Sequence, residues 1–393
     1  MAKRKDDFDE LIQGAKAAVE KKFKDSTVGL GSEKLIYPTQ WVSTGSLSLD
    51  RLCRGFNPGG LPVGPGQGRV VHVAGDWSTG KSAILDHLCK SIQDMGGISA
   101  ITETEMSRDP HFAQAIGLDL SRVVIFNPPT IEESFAEFEV WHDYVRSKNA
   151  EIPIIHGYDS LTATEAQRTA DSQLTESGLF SYGGGRSQAL GDALRRYVNR
   201  ICGRYPTTLV MLNQTRDKIG VMFGDKKTTP GGNPPHFYAS LEIRLSIGSK
   251  GDVRGPYQGA KLSAEQRKRF GLRATERGNI IGRWIRARVT KSKVGENLGQ
   301  DCDFYISFER GINKGSGLLQ RLLEEGAVTL GKNNAILHGD LSFAEEAAWL
   351  KHVAQNMDLL DKRQAEKPTE KSDGKASGRD SSRIQRNEEG QKP

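Results

Sequence analysis

The chain has 393 residues, 36% hydrophobic and 7% aromatic, which allows one large core plus smaller appendages but not a core over the whole length. No apolar run approaches the ~20 residues of a spanning helix. The opening MAKRKDDFDE turns acidic where a secretory leader would turn apolar, so a cytoplasmic location is expected.

Residues 8–23, FDELIQGAKAAVEKKF, place Phe8, Leu11, Ile12, Ala15, Val19 and Phe23 at helical spacing. This amphipathic helix needs a surface for its stripe, either its own core or a neighbouring copy. From Ser43 onward short apolar runs alternate with helical stretches: 70–74, 98–102, 123–126, 152–156, 207–212 and 239–245. That alternation predicts an α/β fold with a mainly parallel central sheet and helices on both faces. Residues 284–292 and 302–308 read as antiparallel edge strands, and 317–328 and 342–360 as helices. After Asp361 the chain is charged and rich in Ser, Gly and Lys, the composition of a disordered tail. Cys53, Cys89, Cys202 and Cys302 show no metal-ligand spacing and are expected to be reduced, buried thiols.

The run VVHVAGDWSTGKSAILDHL is a strand, a glycine loop and a helix. Gly75, Asp76, Trp77, Ser78, Thr79, Gly80, Lys81 and Ser82 fit G-x-x-x-x-G-K-[ST]. Glycines let the backbone curl round phosphates at a helix N-terminus, Lys81 reaches the β/γ phosphates, and the Ser82 hydroxyl is a Mg²⁺ ligand. The motif therefore implies a nucleoside triphosphate and Mg²⁺ as cofactors. Asp159 ends an apolar strand where the metal-orienting acid belongs, the alternative being a cap for the next helix. Glu105, just past the neighbouring strand, is the candidate base, with Glu103 as its local competitor.

Net charge is +6, and it is concentrated. Between Lys250 and Lys293 thirteen Lys/Arg face three acids, which points to a polyanionic partner. A second unusual stretch is RDKIGVMFGDKKTTPGGN, residues 216–233, where cations, hydroxyls and glycines surround an apolar tip. A plain connection would be shorter and more polar.

Together these segments resemble the RecA recombinase family over roughly residues 8–330. STGSLSLD (43–50), the phosphate loop, RDPHFAQAIGLDLSRV and KIGVMFGDKKTTPGGNPPHFYASLEIRL carry the likeness. It implies an ATP-dependent DNA recombinase that forms a helical filament on single-stranded DNA, samples homologous duplex DNA and hydrolyses ATP between subunits. It also implies residue roles. Asp109 and Phe112 lie against adenine, and Ser160 stands beside Asp159. Gln214 senses the γ-phosphate, and Lys291 and Lys293 reach the neighbour's ATP. Phe237 couples nucleotide to DNA, and Arg286 and Arg288 serve the duplex site. The DNA loop comprises Arg216, Lys218, Ile219, Gly220, Val221, Met222, Phe223, Lys226, Lys227, Thr228, Thr229, Gly231, Gly232 and Asn233, with Ile219 as the wedge between bases. Leu174 and Leu179 are candidates in a first DNA loop.

The likeness also has departures. Asp76-Trp77 stands where many members carry Pro and Glu, a basic insertion occupies 249–282, and the C-terminal region is short. The tail from Asp361 has nine Lys/Arg against seven Asp/Glu rather than an acidic run. The expected organisation is an N-terminal oligomerisation helix and linker (1–42), an ATPase and DNA-binding core (43–315), a helical C-terminal region (316–360) and the tail (361–393). A helicase or translocase on the same core, or an ATP-gated DNA-binding scaffold, are the alternatives. Cellular and phage origins both stay open, the latter placing the protein in the host cytoplasm.

Overall fold

The computed structural model describes residues 2–23, 40–54, 60–63, 68–167, 184–218, 227–254, 279–293, 297–338 and 341–355. In chain order the elements are α1 (Ala2–Lys22), β1 (Trp41–Val42), α2 (Leu47–Arg54), β2 (Leu61–Pro62), β3 (Val70–Gly75), α3 (Lys81–Asp94), β4 (Ile98–Glu103), α4 (Pro110–Ala115), β5 (Val123–Phe126), α5 (Ile131–Lys148), β6 (Ile154–Asp159) and α6 (Gly184–Tyr197). There follow β7 (Thr207–Gln214), β8 (Arg216–Asp217), β9 (Lys227–Thr228), α7 (Pro234–Tyr238), β10 (Leu241–Arg254), β11 (Ile280–Ser292), β12 (Asp301–Ser307), β13 (Gly311–Ile312), α8 (Leu318–Glu324), β14 (Thr329–Leu330), β15 (Ile336–His338), β16 (Leu341–Phe343) and α9 (Glu346–Gln355).

A nine-stranded sheet in the order β13-β12-β11-β10-β3-β7-β6-β4-β5 organises the molecule. The strands from β10 to β5 run parallel, and β11, β12 and β13 add antiparallel to that edge. The period-two geometry of a strand sends successive side chains to opposite faces. Val71, Val73, Val210 and Leu212 accordingly join one core cluster with Ile84, Leu85, Leu88 and Ile92 of α3. Val70, Leu209 and Met211 join the other, with Phe135 and Phe138 of α5 and Leu190 and Leu194 of α6. Helices thus cover both faces, as the alternating pattern predicts, and every residue of β3 is buried.

Two regions differ from the simplest sequence reading. The expected helix over 342–360 is a strand and a helix in its described part: Leu341–Phe343 pairs with Ile336–His338, and α9 starts at Glu346. The small C-terminal unit therefore includes a three-stranded sheet, closed over Leu318, Leu322, Trp349 and Val353. The ends of the basic insertion continue the β10–β11 hairpin, Asp252 pairing with Arg283 and Arg254 with Ile280. Its middle, 255–278, lies outside the described residues, as does the tail. Leu11 on α1 and Phe23 just past its end are 69% and 57% exposed. Among the described residues no helix is long and apolar enough to cross a membrane.

Candidate active site

β3 lies at the centre of the sheet and delivers Gly75 to the phosphate loop. Gly80 is the N-cap of α3 with φ 79°, a left-handed conformation that favours glycine, and a Cβ there would run into Ile306. Thr79 donates to the Asp76 carbonyl at 2.7 Å and closes the turn. Lys81 Nζ folds over it, donating to the carbonyls of Gly75 (3.0 Å) and Asp76 (2.8 Å). Burial lowers the Lys81 pKa, and Asp159, Glu105 and Asp76 oppose that shift. Ser82 Oγ donates to Asp159 Oδ2 at 2.7 Å, so hydroxyl and carboxylate from different elements converge beside the loop. This hard-oxygen pair, with a glycine cradle that a side chain would fill, fits Mg²⁺ and a nucleotide phosphate chain.

Glu105 and Glu103 have separate surroundings. Glu105 Oε1 accepts from Ser160 Oγ at 2.5 Å and from Gln214 Nε2 at 3.1 Å, at the exposed mouth of the site. Glu103 is 5% exposed and turns inward to Arg108 Nε at 3.2 Å. Burial, with Asp159 nearby, raises its carboxyl to about 7. Arg108 also contacts Asp86 and, through Nη2 at 3.2 Å, Asp159. Burial raises the Asp159 pKa, while Arg108 and Ser82 pull it back. Sequence reasoning missed Arg108 and Asp86, because nothing in their spacing announces that a fold of the chain joins them.

The foot of the 216–233 stretch is tied to the phosphate loop. Thr215 Oγ1 and Lys227 Nζ both bond Asp76 Oδ1, the latter at 3.1 Å. Partial burial raises the Asp76 carboxyl, but Thr215 and Lys227 outweigh it and hold the group below its usual range. β8 and β9 pair Arg216 with Thr228 and Asp217 with Lys227, forming the stem. Ile219, Gly220, Val221, Met222, Phe223 and Lys226 lie outside the described residues, as do Leu174 and Leu179. Gly231 and Gly232 have φ of 97° and 70°, which carry the chain past Leu190 and Ser187 into α7. Asn233 precedes that helix, and Thr229 bonds His236 at 2.9 Å.

Other predicted residues are placed as follows. Asp109 caps α4 through His111 N at 2.9 Å, and Phe112 packs half-buried on the core. Trp77 is 80% exposed, and Phe237 71%. Arg286 forks onto Asp303 at 2.7 and 3.0 Å, and Arg288 lies 3.6 Å from Asp301. With Lys227, Arg244 and Asp76 they line a groove of about 640 Å³. Lys291 donates to the carbonyls of His236 and Phe237. In strand register it lies opposite Glu242, which lies beside His72, whereas Gly75 lies beside Leu245. Lys291 and Lys293 therefore sit at the end of the sheet away from their own phosphate loop.

The family model for the RecA N-terminal domain matches residues 10–313. The chain belongs to the RecA family. It is similar to Protein RecA of Ruegeria pomeroyi (30% identical over 328 residues, covering 83% of this chain and 82% of the relative). Protein RecA of Symbiobacterium thermophilum is 28% identical over 336 residues, covering 85% and 84%. For Protein RecA of Rhizobium rhizogenes the values are 31% over 323 residues, covering 82% and 78%. RecA family membership accords with DNA recombination and repair and with binding of ATP and DNA.

Proposed function

We propose that the protein is an ATP-dependent DNA recombinase that assembles as a filament on single-stranded DNA and exchanges strands with a homologous duplex. The observation that carries this reading is the position of Gln214. It ends β7, bonds Glu105, and stands two residues before the Arg216–Thr228 stem, so one residue joins the hydrolytic acid to the candidate DNA loop.

In this mechanism Lys81 and the backbone N–H groups of the loop would hold the phosphates, and Ser82 and Asp159 would hold Mg²⁺. Bound Mg²⁺ would neutralise charge on the phosphate oxygens. Glu105 Oε1 orients and deprotonates the attacking water, and Gln214 reports the γ-phosphate to the loop by exchanging its bond to Glu105. Lys291 and Lys293 complete the site of an adjacent copy, to which α1 also docks. Cations and backbone N–H groups of 216–233 grip DNA phosphates while apolar side chains wedge between bases. Arg286 and Arg288 meet the second, duplex strand after exchanging their acidic partners. Residues 1–42, 43–315, 316–360 and 361–393 act as the docking helix with its linker, the ATPase and DNA-binding core, a shortened C-terminal region and a charged tail.

The test is binding of a fluorescent single-stranded oligonucleotide with a slowly hydrolysed ATP analogue and with ADP. Tight, cooperative binding with the analogue alone is expected, followed by strand exchange. Equal binding in both states would overturn the nucleotide-gated mechanism.

A further inference from the structure

We propose that His72, His236 and Glu242 form a binding site for one Zn²⁺-class cation, separate from the Ser82–Asp159 position. The three residues come from β3, α7 and β10, and one donor atom from each lies within 4.8 Å of the others. Glu242 Oε1 is 2.7 Å from His236 Nδ1 and 3.5 Å from His72 Nδ1. Donors on a tetrahedral zinc at 2.0–2.1 Å lie ~3.3 Å apart, so these two separations bracket the required one. The two rings stand edge to face at 80° with centres 5.1 Å apart. Imidazoles sharing such an ion through nitrogen have centres about 5 Å apart.

The donor set selects the ion. Two imidazoles and a carboxylate suit Zn²⁺ and its neighbours, whereas Mg²⁺ prefers oxygen alone. Three protein ligands leave a fourth position for water. An entry path exists, because the His236 side chain is 40% exposed while His72 and Glu242 are 1% and 12% exposed.

With both Nδ1 atoms on the ion, each ring carries its proton on Nε2. Thr229 Oγ1, 2.9 Å from His236 Nε2, accepts one of these protons as a hydrogen bond. Asn213 Nδ2, 3.3 Å from His72 Nε2, faces the other. Its amide must turn to offer Oδ1, which releases the Pro230 carbonyl it now bonds at 2.9 Å. The ion would thus reset the exit of the 216–233 stretch. Without an ion, the same atoms make a closed set in which Glu242 accepts from both rings.

The experiment uses the tag-free full chain, stripped with chelator and titrated with Co²⁺ and Zn²⁺ in excess Mg²⁺. One equivalent is expected per chain, with the visible spectrum of four-coordinate Co²⁺ and a thermal midpoint raised by Zn²⁺ but not by further Mg²⁺. Thr229→Val should weaken binding by roughly 10–100-fold, the range for an outer-shell partner, and His236→Ala and Glu242→Gln by more. Melting in chelator shows that each variant is folded; because two independent ligand variants are used, the test survives the loss of either. Failure to take up one equivalent, or uptake unchanged in both ligand variants, would leave the trio as a hydrogen-bonded set only.

Discussion

The Asp76 carboxylate of the phosphate loop lies 3.1 Å from the Lys227 ammonium at the stem of the candidate DNA loop. Both groups are partly exposed, so the pair adds little to stability. Its value is positional, since it spans the candidate nucleotide and DNA regions. Asp76→Asn should therefore leave the denaturation midpoint nearly unchanged. It should narrow the gap in DNA affinity between the ATP-analogue and ADP states, by roughly tenfold on the usual scale of coupling. An oligonucleotide titration in both states checks this, and a gap equal to wild type would remove Asp76 from the coupling.

The surroundings of the two glutamates make a sharper division. Glu105→Gln should lower turnover by ~10²–10⁴-fold while nucleotide binding persists, because it removes the proposed general base. Glu103→Gln should cost far less turnover, since Glu103 faces Arg108 instead. Steady-state ATPase assays beside binding of a fluorescent nucleotide distinguish the two. The opposite ranking would hand the role to Glu103.

Gly80→Ala tests the cradle. The left-handed backbone alone costs ~1–2 kcal/mol for a residue with Cβ, and Ile306 must also move. Loss of nucleotide binding together with lower urea resistance is expected. Normal values for both would mean that the loop tolerates a side chain.

Three buried histidines set an acid limit. His156 bonds Thr102 and Tyr197 and stacks on Phe138 with centres 3.7 Å apart. Burial lowers His156 and His142 to about 3 and His87 to about 4, with His142, Arg146 and Lys90 respectively adding to the effect. Well above pH 6.5 the rings are neutral in folded and unfolded chains alike. Below it the unfolded chain takes up protons that the folded chain refuses. Stability should fall with pH by up to ~1.4 kcal/mol per unit for each ring. Urea midpoints from pH 7 to 4.5 measure this, and a flat profile would contradict it.

Much of this was legible in residue order because the signals are local. Gly75 through Ser82 form a contiguous motif, and buried parallel strands such as Val70–Gly75 appear as unbroken apolar runs. Arg108 illustrates what was not legible. It joins Asp86, Glu103 and Asp159, the first 22 residues away and the last 51, and no periodicity links those positions. His72 reads as one polar residue in an apolar strand until β10 brings Glu242 alongside. Ser342 and Phe343 read as the start of the 342–360 helix because a three-residue strand carries too little pattern to outweigh the helical stretch after it.

The position of Lys291 and Lys293 has a consequence for how such a protein would be counted. If they serve a neighbour, the working unit is a junction, and n chains in an open row contain n − 1 complete sites. One end of every row keeps a phosphate loop that no foreign lysine reaches. Short rows would be poor catalysts per chain and long rows good ones. A mixture of Lys81→Ala and Lys291→Ala chains, each inactive alone, would regain turnover at every junction where an intact loop meets intact lysines.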